Sequence, residues 1–305
     1  MTASFAIPRA GLLLDGGLAT ELQRAGWPVA PPWWTNGVLR SPAGRRALLQ
    51  AHRRYAEAGA DVLTAGTFRC NPSSTARAGL GPDATRRLIR TAVSLARAAA
   101  GARMLVAGSQ APVADCYRPD QVPDDDRLRR EHSWTAAQLA AAGVDLILVE
   151  TMNTVREAVI AVEAVRAAGR PAWVSLVCAG GPRLLSGEPL AGAARTLHEH
   201  GAEAVLVNCT NLADTDRCIE VLGGGPCLTF GAYPNVEDRS AIPRWTHVDR
   251  FVPSGVGPET FACHVAQWCT RFGAGLVGGC CGTSPSHVAA LRRRLGRPAP
   301  LPPDR

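Results

Sequence analysis

No lysine occurs in the 305 residues, so the formal charge of +7 rests on arginine alone, and aromatic residues are scarce at 5%. A nucleic-acid surface needs its cations clustered and interleaved with exposed aromatics. The arginines instead spread along helical stretches such as RRALLQAHRRYAEAG and TRRLIRTAVSLARAAAG, with LRRRLGR the one tight group. They read as solvated helix faces, which excludes nucleic acid as a partner. No window approaches the roughly 18 uninterrupted apolar residues of a membrane span, which excludes the membrane as well. The opening MTASFAIPRAGLLLDGG lacks the basic segment and long apolar core of a signal peptide. The expected location is the cytoplasm.

What the chain does hold is 46% hydrophobic residues and ten cysteines. The reducing cytoplasm disfavours disulfides, so these cysteines are expected as thiols or metal ligands. Short apolar runs of strand type recur: LLLDGG, DVLTAGT, MLVAGS, DLILVET, AWVSLVC, AVLVNCT, CLTFGAY and GLVGGCC. Each is nearly continuous, as parallel strands covered on both faces should be. Helical patterns such as VREAVIAVEAVRAAG lie between them, and AGAD, AGVD and HGAE mark helices closed by a left-handed glycine. The acidic PDDDRL complements a helix N-terminus.

Eight strand–helix units match an α/β fold of the closed (β/α)8, or TIM-barrel, type. A doubly wound sheet would want a G-x-G-x-x-G loop after the first strand, and DGGLATEL is not one. The expectation is one barrel domain over residues 1–295, with the proline-rich GRPAPLPPDR, 296–305, a flexible tail.

Chemistry in such a barrel sits at the C-terminal strand ends. There this chain places Asp15-Gly16-Gly17, Gly66-Thr67, Gly108-Ser109, Glu150-Thr151, Cys178, Asn208-Cys209-Thr210, Tyr233-Pro234-Asn235 and Gly279-Cys280-Cys281-Gly282. Adjacent Cys280 and Cys281 cannot bridge each other without strain. With Cys209 they make three thiols at one mouth, able to bind Zn²⁺ and leave a fourth position open. Flanking glycines allow the backbone twist that turns consecutive side chains toward one ion. An all-sulfur zinc site is a poor activator of water and a good holder of a soft ligand. A substrate thiol there loses its proton, whereas a free thiol with a pKa near 8.5 is mostly neutral. That is a site for alkylating a thiol.

Other readings stand beside this one. Any single buried cysteine can be a small core residue. Cys178 or Cys70 could complete a closed, structural zinc site in a barrel that binds a ligand or partner without turnover. The glycines of the last strand could serve a phosphate, although that leaves the cysteines unexplained. Strand-end placement together with GGCCG favours the open metal site. Cys263 and Cys269 read as packed helix residues, and Cys116, Cys218 and Cys227 carry no pattern.

The segments LLLDGGLATELQRAG, AGADVLTAGTF, LILVETMNTVREA, VLVNCTN, YPN and GLVGGCCGTSPSHVAAL closely resemble the homocysteine S-methyltransferases, in order from residue 12 to about 292. That family includes S-methylmethionine-dependent enzymes, betaine–homocysteine methyltransferase and the homocysteine half of cobalamin methionine synthase. The resemblance implies that Cys209, Cys280 and Cys281 bind zinc and that homocysteine sulfur takes the open position. It also implies that Asp15 and Glu150 hold the substrate ammonium, that backbone N–H groups from Gly16 and Gly17 onward receive its carboxylate, and that Asn208 orients the site. By themselves Asp15 could be a turn residue and Glu150 a helix-capping acid.

The donor is then a small onium compound, S-methylmethionine first, with S-adenosylmethionine or betaine as alternatives; methionine is the product. Trp33 and Trp34 fall where relatives carry an aromatic, and Trp34 could face the onium by cation–π attraction or simply anchor its loop. Two segments depart from the family pattern: TAGTF has Gly66 in place of Asn, and GSQAPVADCYRPD keeps only Pro112 of the usual Gly-Pro step. A different thiol acceptor in specialised metabolism is therefore the nearest alternative. No heptad or interface stripe stands out, and homo-oligomerisation is left open.

Overall fold

The computed structural model describes residues 7–8, 10–225, 229–238 and 252–298. Eight parallel strands, β1 (Leu12–Leu13), β2 (Val62–Ala65), β3 (Leu105–Gln110), β4 (Leu146–Met152), β5 (Ala172–Leu176), β6 (Ala204–Asn211), β7 (Thr229–Asn235) and β8 (Leu276–Val277), pair each with its neighbour in sequence. β1 also pairs with β8, and a parallel bridge from Leu14 to Val62 joins it to β2, closing the barrel. Around it run α1 (Leu18–Arg24), α2 (Pro42–Glu57), α3 (Pro72–Arg77), α4 (Pro82–Ala100), α5 (Asp125–Ala141), α6 (Val155–Ala167), α7 (Leu190–Glu199), α8 (Leu212–Gly223), α9 (Pro258–Gln267) and α10 (Pro285–Arg294). All eight strands overlap the runs expected of them, β3, β4, β6 and β7 extending one or two residues further. None of the helices is long and apolar enough to cross a membrane, among the described residues.

The runs look uniformly apolar because both faces of each strand are covered, yet alternation survives in what each face meets. Leu63, Val106, Ile147, Val149, Val174, Val205 and Val207 turn outward against the helices. Leu12, Leu14, Val62, Leu146, Leu148, Trp173, Leu206 and Leu276 turn inward and fill the lower barrel. One repeat higher, the inward positions become polar: Thr64, Ser109, Glu150, Ser175 and Asn208. Apolar filling below and polar side chains above create a floor with a site on it.

The AGAD and AGVD turns close the other end. Gly59 and Gly143 take φ of +92° and +87°, as the left-handed turn requires. The aspartate that follows reaches the preceding strand: Asp61 accepts the Leu13 N–H at 2.8 Å and Asp145 the Val106 N–H at 2.7 Å. Asp61 is further paired with Arg292 and Arg297, so the described start of the C-terminal segment is docked on the barrel. Residues 299–305 of the expected tail, and Cys227, lie outside the described residues. α5 begins at an Asp124 cap followed by Asp125 and Asp126, the acidic complement anticipated for a helix start.

Candidate active site

Two strands are distorted at the level of the polar layer. The register of β4 shifts between Val149 and Met152, and that of β6 between Asn208 and Asn211. At those bulges Thr151 and Cys209 take φ of +62° and +49°, a conformation costly for residues with a side chain. The kink in β6 sends Cys209 and Asn208 to one locality. The Cys209 sulfur lies 3.2 Å from that of Cys280, and Cys280 lies 4.0 Å from Cys281.

The turn carrying Cys280 and Cys281 is held by backbone and threonine bonds. The Gly279 N–H reaches the Asp15 carbonyl at 3.0 Å, and the Cys280 N–H reaches that of Pro234 at 3.0 Å. Thr283 Oγ1 donates to the Cys280 carbonyl at 2.6 Å and accepts the Gly17 N–H at 3.0 Å. Gly282 supplies a φ of +86°, and a Cβ on Gly17 would lie 2.5 Å from the Cys280 carbonyl oxygen. Arg24 of α1 clamps the far side through the Gly282 and Thr283 carbonyls. Thr283 and Arg24 were not anticipated; the only signal was their closeness in sequence to GGCC and DGG.

All three sulfurs lie within 4.8 Å of one another, and they are the one such group of possible metal ligands among the described residues. A tetrahedral centre with metal–sulfur bonds of about 2.3 Å separates its sulfurs by about 3.8 Å, so the trio fits a soft divalent metal. Cys70 instead donates to Asn36 at 3.1 Å. Cys178 is buried in the helix layer beside Cys218, and β5 turns Ser175 inward in its stead. No fourth protein ligand joins the trio among the described residues, which favours the open over the closed arrangement.

Asn208 sits beside the trio, its Nδ2 2.9 Å from Thr151 Oγ1 and 3.6 Å from Cys209 Sγ. Hydrogen bonding with Cys209 is the main cause that holds the Cys280 and Cys281 thiols well above the usual range.

Asp15 and Glu150 line the same cavity, as does Glu237. Asp15, 4% exposed, accepts the Thr64 N–H at 2.8 Å and the Thr64 hydroxyl at 2.9 Å. Burial still raises its pKa from 3.8 to about 7. Glu150 bonds Ser109 Oγ and, at 3.2 Å, the Tyr233 hydroxyl, which Ser175 bonds in turn. Desolvation, against the Ser109 bond, raises it to about 7 as well. Neither Asp15 nor Glu150 has a cationic partner among the described residues, so each is poised for one from outside. Thr64, Ser109 and Tyr233 follow from period-2 alternation once the inward face of each strand is known.

At the start of α1, Gly17 has no side-chain cap. Its N–H is taken by Thr283, whereas no acceptor meets the N–H groups of Leu18 and Ala19 among the described residues. Trp34 lines the cavity, with the Arg69 guanidinium carbon 4.6 Å from its ring centroid; Trp33 lies beneath Arg40, 4.2 Å away. The departing loop after β3 is pinned at Val113 by Glu157, at Cys116 by Asn153 and at Pro112 by Asn71.

Fold and site together define a (β/α)8 protein with an open three-thiol centre beside two carboxylates, one buried and one partly buried. The chain belongs to the homocysteine S-methyltransferase family, whose model matches residues 12–295 and whose members are methyltransferases. It is 31% identical over 303 residues to the homocysteine S-methyltransferase of Escherichia coli (strain K12), covering 93% of this chain and 94% of that protein. Identity to the selenocysteine Se-methyltransferase of Brassica oleracea var. italica is 27% over 312 residues, 93% of this chain and 88% of that protein. The crystal structure of the homocysteine methyltransferase from Escherichia coli in its metallated form matches with a TM-score of 0.80 at 30% identity, covering 93% and 96% of the two chains.

Proposed function

We propose that this chain moves a methyl group from a small onium donor to the thiol of homocysteine, giving methionine, and that Cys209, Cys280 and Cys281 hold zinc for that purpose. The observation that carries this reading is the meeting of three sulfurs with two carboxylates, Asp15 and Glu150, that have no cation paired with them among the described residues. When bound, the zinc ion keeps the acceptor thiol deprotonated at neutral pH.

The protein's own residues bind and orient. Asp15 and Glu150 take the acceptor's ammonium, and Thr64, Ser109 and Tyr233 fix the lone pairs that face it. The first N–H groups of α1 receive its carboxylate, where the helix end favours an anion. Both ends of the acceptor being held, its sulfur is confined to the thiol corner, and positioning supplies much of the rate. The sulfur then forms its bond to the methyl carbon as the donor's carbon–heteroatom bond breaks. The electron pair of that bond neutralises the departing onium atom, and no general base is needed.

S-methylmethionine is the donor of first choice, S-adenosylmethionine and betaine the alternatives. Nine described cysteines are free thiols, which fits the reducing cytoplasm we assign. A second reading keeps the chemistry and changes the acceptor; it is favoured by the similarity to a selenocysteine Se-methyltransferase. The test is turnover of homocysteine and selenocysteine with each donor, before and after chelation. Loss of activity in chelator and its return with zinc are expected; undiminished turnover in chelator would exclude the metal's part.

A further inference from the structure

The far side of the cavity carries a charge that the reading above leaves unused. Arg69, in TAGTFRCNP after β2, takes a left-handed φ of +62°, which a residue with a side chain adopts only when its surroundings impose it. The result is a guanidinium only 5% exposed, lining the same cavity as the three thiols. It lies between aromatic rings, 4.6 Å from the Trp34 centroid and 5.6 Å from that of Phe68. Nη1 donates to the Ala114 carbonyl at 3.2 Å, and Nη2 to Cys116 Sγ at 3.5 Å. The Asp115 carboxylate stands off at 3.8 Å. Nε–H is buried and has no partner among the described residues.

A buried cation is costly unless its donors are met. Here one edge of the guanidinium, Nε–H with Nη2, holds only a weak thiol acceptor and a loose ion pair. That edge is the planar fork that grips a carboxylate through two parallel bonds. Arg69 is also the one cation among the described residues lining the cavity, where Asp15, Glu150 and Glu237 are acids.

We propose that Arg69 binds the carboxylate of the methyl donor and makes that carboxylate a condition for use. The inference rests on the acceptor-and-donor reading of this cavity. An onium centre a few ångströms from a guanidinium is repelled by it. A carboxylate placed between the two cations reverses that sign. The acceptor's own charged ends are already provided for by Asp15, Glu150 and the start of α1. The Trp34 ring, packed against Arg69, thus serves the donor by positioning the guanidinium.

The test uses the zinc-loaded full chain with saturating homocysteine and two donors that differ only in the carboxylate, S-methylmethionine and its carboxamide. Arg69→Gln is expected to raise KM for S-methylmethionine by about 10- to 100-fold, the worth of a charged hydrogen bond. KM for homocysteine and for the carboxamide should stay within about twofold of wild type. Arg69→Lys, which keeps the charge and loses the fork, should recover only part of the deficit.

Equal loss with both donors, or a loss carried by homocysteine instead, would overturn the proposal. So would a fall in Tm without donor discrimination, which would leave Arg69 a mere brace for Ala114. Calorimetric binding of the two donors without acceptor gives a separate readout. If wild type transfers no methyl group at all, the reading of the cavity fails; a carboxylate preference that Arg69→Gln abolishes would still stand.

Discussion

Cys209 and Cys280, 71 positions apart in the chain, bring their sulfurs to 3.2 Å. Such closeness is unfavourable for thiolates alone, and Cys209 holds the proton affinity of Cys280 up. A divalent cation removes the conflict, and the strained φ at Cys209 shows that the backbone pays for this placement.

Metal content follows from that geometry. Protein made with ample zinc and reductant should carry one zinc per chain by mass spectrometry of the metal. Serine at any of the three cysteine positions should lower affinity and turnover by more than the roughly 10- to 100-fold typical of residues that only support a ligand. Because ligand thiols must lose protons, zinc uptake should release protons and tighten as pH rises. Full activity in all three variants, without zinc, would refute the site.

Asn208 should show the smaller effect. Among the described residues it touches the trio at Cys209, directly and by way of Thr151, so Asn208→Ala should weaken zinc by about 10- to 100-fold. Competition with a chromogenic chelator measures this; unchanged affinity would mean that Asn208 shapes β6 and nothing more.

How far the sequence announced this site differs from residue to residue. Both-sided burial of parallel strands makes eight runs stand out, and strand ends then bring Asp15, Glu150, Cys209, Cys280 and Cys281 to one mouth. Thr64, Ser109 and Tyr233 were hidden for the same reason that the strands were visible: a run apolar on both faces does not show which face is inside. Cys178 was misleading in that way, an apparent strand-end ligand that turns into the helix layer. The Arg69–Trp34 pair could not be read at all. It joins the start of a short 3-10 helix, Trp34–Arg40, to the turn after β2, and both residues have a positive φ.

Acceptor binding should report the two carboxylates directly. With both raised to about 7, they are largely protonated at pH 6 and cannot hold an ammonium well. Calorimetric affinity for methionine, which shares the amino-acid end but has no thiol to ionise, should fall below pH 7 by up to about tenfold per unit for each carboxylate that must be ionised. Asp15→Asn and Glu150→Gln should each weaken it by about 10- to 100-fold and flatten the dependence. A pH-independent affinity in wild type would mean that neither carboxylate meets the ammonium.

The same shift in Asp15 opposes another one in the free protein. His52 of α2 is fully buried, neither ring nitrogen has a partner among the described residues, and burial lowers its pKa from 6.5 to about 4. Between those values the unfolded chain binds a proton that the folded chain refuses, so His52 makes stability rise with pH, by about 3 kcal/mol across the window. Asp15 does the reverse. Between 3.8 and about 7 the folded chain keeps a proton that the unfolded chain has lost, so stability falls with rising pH, by about 4 kcal/mol. Glu150 adds in the same sense as Asp15. Over the shared interval the opposing slopes mask each other, and single substitutions should expose them. In urea titrations from pH 4.5 to 7, His52→Leu should steepen the fall of stability with pH, while Asp15→Asn should weaken or reverse it. The slope is the quantity to read, because the packing defect left by either substitution shifts the whole curve without tilting it. Two variant curves parallel to wild type would show that neither buried group titrates with folding.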